Sequence, residues 1–143
     1  MDQTYEESLR RVMLRLSRGD LTEAEARRLT GRDDVVEHLR EKRLLNDHRV
    51  AEALIHRWSG RNMRGRTWLQ SEFERRDIPA AIAGPLLENL PCDFDRANEL
   101  LGLVRKPDAV RKARFLASRG FAEEVIDSVL GDSLREASDW RHN

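Results

Sequence analysis

A chain of 143 residues, 39% apolar and 36% charged at zero formal net charge, can bury a real core and is too apolar for wholesale disorder. It has no apolar run long enough to span a bilayer and no charged start followed by an apolar stretch, so neither a membrane span nor a secretory signal is expected, and a cytoplasmic location is. The single cysteine, Cys92, excludes an internal disulfide framework, and an ordinary, partly buried thiol is expected there.

In chain order, Thr4 with Glu7 has the spacing of a capping box, and Leu9, Val12, Met13 and Leu16 follow as a stripe of helical period that stops by Gly19. Thr22 with Glu25 repeats the start signal ahead of Ala26 and Leu29. Gly31 interrupts, and Asp33 or Asp34 can cap a further helix carrying Val35, Val36 and Leu39. Asn46 and Asp47 then cap a helix whose inward stripe is Val50, Leu54, Ile55 and Trp58. The next helix restarts at Thr67, with Gln70 three positions on and Leu69 and Phe73 stacked one turn apart. Pro79 suits a first helical position, opening a segment with Ile82, Leu86 and Leu90; Gly84 and Pro85 are expected to kink or split it.

From Pro91 on, the pattern repeats. Ala97, Leu100, Leu101 and Val104 reproduce Ala51, Leu54, Ile55 and Trp58 at one constant offset. After the loop, Leu116, Arg119, Phe121, Val125, Val129 and Leu130 reproduce Phe73, Arg76, Ile78, Ile82, Leu86 and Leu87 at a second, slightly smaller one. The expected fold is therefore all-α: an elongated tandem array of three three-helix repeats, the first of them shortened. The expected units are 1–46, 47–90 and 91–132, with a tail over 133–143 in which Trp140 either docks or frays. Leu54, Ile55, Phe73, Leu101, Leu116, Phe121 and Ile126 are the expected core positions of the two better-defined units.

The loop between the helices of the middle unit carries Arg57, Arg61, Arg64 and Arg66, and no acid stands between Glu52 and Glu72. Arg75 and Arg76 end the helix that follows, and Arg111, Lys112, Arg114 and Arg119 cluster in the last unit. These are the candidate nucleic-acid or filament contacts. A neutral chain can still present a strongly positive face, whereas zero net charge argues against strong nonspecific DNA binding by the whole molecule. The glycines Gly60 and Gly65 would let the backbone approach a phosphate chain closely, and nothing in the spacing points to reading of base edges. An early cluster, Arg10, Arg11, Arg15 and Arg18, adds a further basic face. Trp58 and Trp68 bracket the loop, either as core cover with an exposed edge or as platforms for stacked bases.

Other chemistry is thin. His38, His48, His56 and His142 share no metal-ligand spacing with one another or with Cys92, so no metal site is expected. No phosphate loop, nucleophile elbow or carboxylate pair stands out, so neither catalytic residues nor a cofactor are expected.

Three stretches carry a resemblance: LRLSRGDLTEAEARRL early, LLNDHRVAEALI with RWSGRNMRGRTWLQSEFERRDIP in the middle, and KARFLASRGFAEEVIDSVL late. Each resembles the corresponding repeat of RecX, the bacterial regulator of the RecA recombinase, over about residues 9 to 131. The last is the most specific, through Phe115, Leu116, Arg119, Gly120, Phe121, Val125, Ile126 and Leu130. The resemblance implies an all-helical, non-enzymatic protein of DNA recombination, repair and the SOS response. Such a protein binds the RecA nucleoprotein filament and suppresses ATP hydrolysis and strand exchange. It implies weak contact with single- or double-stranded DNA, none with membranes, and a monomer. A free-standing helical DNA-binding module and a helical-repeat adaptor for another protein are the alternatives.

Overall fold

The computed structural model describes residues 4–136, and among them every regular element is a helix and none is a strand. In order these are α1 (Tyr5–Leu16), α2 (Glu23–Thr30), α3 (Asp33–Glu41), α4 (Asp47–Arg57), α5 (Arg66–Arg75), α6 (Ala80–Glu88), α7 (Asp93–Leu103), α8 (Ala109–Ser118) and α9 (Glu123–Arg135). A short 3-10 turn over Gly60–Asn62 lies between α4 and α5. Trp140 and His142 lie outside the described residues. No helix among those described is long and apolar enough to cross a membrane.

Local side-chain caps set four of the described helix starts. The Thr4 hydroxyl accepts from the Glu7 N–H at 3.2 Å. Thr22 and Glu25 form a reciprocal capping box, at 3.1 Å and 2.9 Å. Asn46 Oδ1 accepts from the Arg49 N–H at 3.1 Å, and Asp108 accepts from the Arg111 N–H at 2.8 Å. Three starts differ from expectation. Neither Asp33 nor Asp34 caps α3, which begins at Asp33 behind Arg32 with no side-chain cap, so the two acids stand in its first turn instead. Thr67 lies inside α5, which begins at Arg66 and has its first N–H bound by the Asp93 carboxylate at 3.0 Å, so a distant acid does the capping. Pro79 stands just outside α6 and its carbonyl accepts from Ile82 and Ala83 at 2.9 Å, the role of a cap residue. Pro85 does not split α6, which runs unbroken to Glu88; the ring removes one donor without ending so short a helix.

Helix ends recur. After α5 the Ile78 N–H reaches back to the Phe73 carbonyl at 3.0 Å, and after α8 the Phe121 N–H reaches Leu116 at 3.1 Å. Asp77 (φ 55°) and Gly120 (φ 85°) supply the left-handed residue in the two closures. The end of α3 closes in the same way, Leu44 N–H to Leu39 O at 2.9 Å with Arg43 at φ 61°.

The helices group into two compact units whose boundaries fall inside α4, α5 and α6. One comprises the chain up to Leu54 with Glu72–Leu86. Val12, Leu21, Ala26, Val35, Val36, Leu39 and Leu45 form its core cluster. Arg76 ties the sequence-distant parts of this unit together, bonding Glu25 at 2.8 Å and 3.0 Å and the Asp20 carbonyl at 3.1 Å. Arg28 pairs with Asp77 at 2.6 Å.

The other unit comprises Ile55–Ser71 with the chain from Leu87 onward. Its core is Met63, Ala97, Leu100, Ala113, Leu116, Phe121 and Ile126. Of the expected core positions, Leu54, Phe73, Leu116, Phe121 and Ile126 are buried, whereas Ile55 and Leu101 are half-buried. Each of these two follows a buried leucine by one residue, about 100° round the helix, and so lies at the margin of its stripe. Cys92 is exposed, not partly buried, because it stands just ahead of α7.

Candidate polyanion-binding seam

Within the second unit the arginine loop is built from an anchor and two glycines. Leaving α4, the Ser59 hydroxyl donates to the His56 carbonyl at 2.6 Å and Gly60 turns the chain at φ 57°. Met63 then drops into the core, 4% exposed, and holds the loop from its middle. The following residues are pinned to the C-terminal end of α8. The Gly65 N–H donates to the Arg119 carbonyl at 2.9 Å, Arg119 Nε donates to the Met63 carbonyl at 3.2 Å, and Arg64 Nη1 donates to the Ser118 carbonyl at 3.0 Å. A cation at the carbonyl end of a helix also complements its dipole.

Backbone meets backbone here. A Cβ on Gly65 would overlap the Gly120 carbonyl, 2.6 Å from its carbon, and a Cβ on Gly120 would sit 2.8 Å from Trp68 Cβ. Gly65 is therefore needed for contact with Gly120, and its close approach is to the chain itself, not to a phosphate.

Arg64 lies against two indoles. Trp58 and Trp68 meet edge to face at 4.9 Å between centroids, and the Arg64 guanidinium is 5.3 Å and 4.8 Å from the two rings. Arg57 stands over Trp58 at 5.0 Å. Both tryptophans are half-buried, so they cover the unit's core and hold arginines on their faces. Trp58 Nε1 and Arg64 Nε are buried without a hydrogen bond, so the guanidinium is held by its Nη1 bond to the Ser118 carbonyl and by the two ring contacts. Beside Trp58 lies a cavity of about 150 Å³ that Ile55, Met63, Leu69 and Pro91 also line, with Arg96 and Glu99. Arg96, 4% exposed, is neutralised by Asp93 at 3.0 Å.

The candidate cations fall into three groups. Arg57 and Arg61 are exposed beside the half-buried Arg64, and Arg114 and Arg111 are exposed on α8 with Lys112 half-buried; of these Arg111 shares a loose pair with Asp108 at 3.6 Å. Arg64 and Arg119 join the loop to α8, and they are close enough to repel: burial pushes the Arg119 guanidinium below its ordinary value, and Arg64 pushes it further. Arg66, Arg75 and Arg76 have their guanidinium groups engaged. Arg66 donates to the Leu90 and Pro91 carbonyls at 3.1 Å and 3.3 Å. Arg75 pairs with Glu72, and Arg76 pairs with Glu25.

The 57–66 loop and the C-terminal end of α8, distant in sequence, thus meet in one seam within one unit through Arg64, Gly65 and Arg119, and Arg111, Lys112 and Arg114 lie further along the same helix. The sequence held a signal for it in Gly65 and Gly120, each preceded by an arginine, although neither spacing nor period says that the two glycines touch. Nothing local marks Asp93 as the cap of α5 or Met63 as the loop's anchor. Among the described residues no group of three or more His, Cys, Asp or Glu side chains could hold a metal ion.

No protein-family model matches the chain, and no curated protein matches it in sequence. Among solved structures, the crystal structure of RecX from Lactobacillus salivarius matches with a TM-score of 0.62 at 17% sequence identity, covering 90% of this chain and 95% of that one. The resemblance carried by the three sequence stretches is thus present in three dimensions, and the fold of this chain is that of RecX.

Proposed function

We propose that this protein is a regulator that binds a RecA nucleoprotein filament and suppresses its ATP hydrolysis and strand exchange. The carrying observation is the RecX fold, which extends over nearly the whole of both chains and agrees with motifs in the right order along the sequence. In this proposal the seam of Arg57, Arg61, Arg64, Arg111, Lys112, Arg114 and Arg119 positions the protein on the filament's DNA backbone. The contacts are point charges against phosphates and are indifferent to sequence. Arg66 supports the fold beside those contacts, and Arg75 and Arg76 support that of the first unit, through their engaged guanidinium groups.

The test compares binding to RecA on single-stranded DNA with binding to RecA alone and to DNA alone. A filament regulator binds the complex more tightly than either component. A free-standing DNA-binding module binds duplex alone just as well, with log affinity falling against log salt by about 0.9 per phosphate neutralised. An adaptor for an unrelated protein binds none of the three.

A further inference from the structure

Helix α1 carries a second basic surface that differs in kind from the seam. Its core side is the Val12 stripe, with Leu9 and Leu16 packed against the same cluster. The opposite side exposes Arg10, Arg11, Arg15 and Arg18, and their guanidinium groups pair with no acid among the described residues. At about 100° per residue Arg10, Arg11 and Arg15 fall within an arc of about 140°, and Leu14 lies inside it with the exposed Glu7; Arg18 follows in the turn after α1. Arg10 and Arg11 are its helical neighbours at i−4 and i−3. Leu14 is 59% exposed, the most exposed of the large apolar side chains, and Met13 beside it is 43% exposed.

That combination selects among polyanions. A phosphate backbone would use the arginines and leave Leu14 in water, and among the described residues no aromatic side chain is exposed on this face to stack on a base. A membrane surface would need an apolar stripe, and that of α1 is spent on the core, leaving Leu14 and Met13 alone. An acidic protein surface with an apolar recess uses both: the carboxylates meet the arginines at the rim and the leucine is desolvated at the centre. We infer that the α1 face centred on Leu14 is a docking surface for an acidic, apolar-bearing surface on the protein component of the filament. This rests on the proposed function and assigns the two basic surfaces to different partners, the seam to DNA and α1 to protein.

The experiment measures binding of the full chain, of Leu14→Ala and of the double variant Arg10→Gln/Arg18→Gln to RecA filaments on single-stranded DNA and to the bare strand. All three changed positions are exposed, so unchanged helicity and melting temperature are the control. Leu14→Ala is expected to weaken filament binding about fivefold and the arginine pair about tenfold, with bare-strand binding within twofold of the original chain. Undiminished filament binding by both variants overturns the inference and leaves the proposed function standing. Equal losses on filament and bare strand overturn it too, because α1 is then a nucleic-acid surface. If the original chain binds no filament, the proposed function fails, and this docking surface fails with it.

Discussion

Arg64 and Arg61 are separated by two residues and have different work. Arg64 is held by the Ser118 carbonyl and by two indole faces, so neutralising it removes a hydrogen bond and two cation–π contacts within the fold. Arg64→Gln should therefore cost about 1–2 kcal/mol of stability, read as a lower melting temperature. Arg61 is exposed, as are Arg57 and Arg114. Changing these three to Gln should leave melting unaltered and flatten the salt dependence of DNA-strand or filament binding by up to about 2–3 log units per log unit of salt. An unchanged salt slope in that variant would show the exposed cations to be solvated surface. At the same scale, Gly65→Ala should destabilise by about 1–3 kcal/mol, since the clash is with the Gly120 backbone and not with a side chain that can swing away. Thermal denaturation decides it, and a neutral result would mean that the loop can leave α8 at no cost.

At the scale of elements, what was legible in sequence was what depends on neighbours along the chain. The capping box at Thr22 and Glu25, the cap at Asn46 and the buried positions Leu54 and Leu116 are local patterns that the structure keeps. The start of α5 was missed because its cap, Asp93, is distant in sequence, so Thr67 had the right local chemistry without the role. The merging of loop and α8 was missed for the same reason: two glycines carry it by touching, and sequence shows only that they are glycines. Arg76 shows how one residue fastens elements. Its guanidinium reaches both Glu25, the acid of the α2 capping box, and the Asp20 carbonyl. Burial pushes the Glu25 carboxyl up, but hydrogen bonds from Arg76 and Thr22 and the Arg76 charge outweigh it and hold the pKa below its ordinary 4.5. A depressed carboxylate adds stability that is complete above the unfolded value and vanishes as pH falls through the folded one. Glu25→Gln should thus be less stable than the original chain by about 1–2 kcal/mol at neutral pH, with the gap closing below pH 4.5. A gap that persisted undiminished in acid would mean that the pair contributes no charge-dependent stability.

For the whole molecule, zero net charge conceals two positive surfaces that call for different partners. The seam has arginines on indole faces at the junction of a loop and a helix end, suited to a phosphate chain; α1 has arginines around an exposed leucine, suited to protein. A nucleoprotein filament offers both kinds of partner in fixed proximity, and simultaneous use of two modest surfaces raises affinity for the assembly above that for its parts. Elsewhere among the described residues several cations are paired with acids, as in Arg40 with Glu23 and Arg49 with Asp20, which lowers nonspecific attraction to nucleic acid. The most direct measurement is the steady rate of ATP hydrolysis by RecA on single-stranded DNA as this protein is added. The rate should fall as the added protein approaches or stays below the concentration of RecA, and strand exchange should fall with it. An unaltered rate at saturating protein with the cognate recombinase would contradict regulation of the filament.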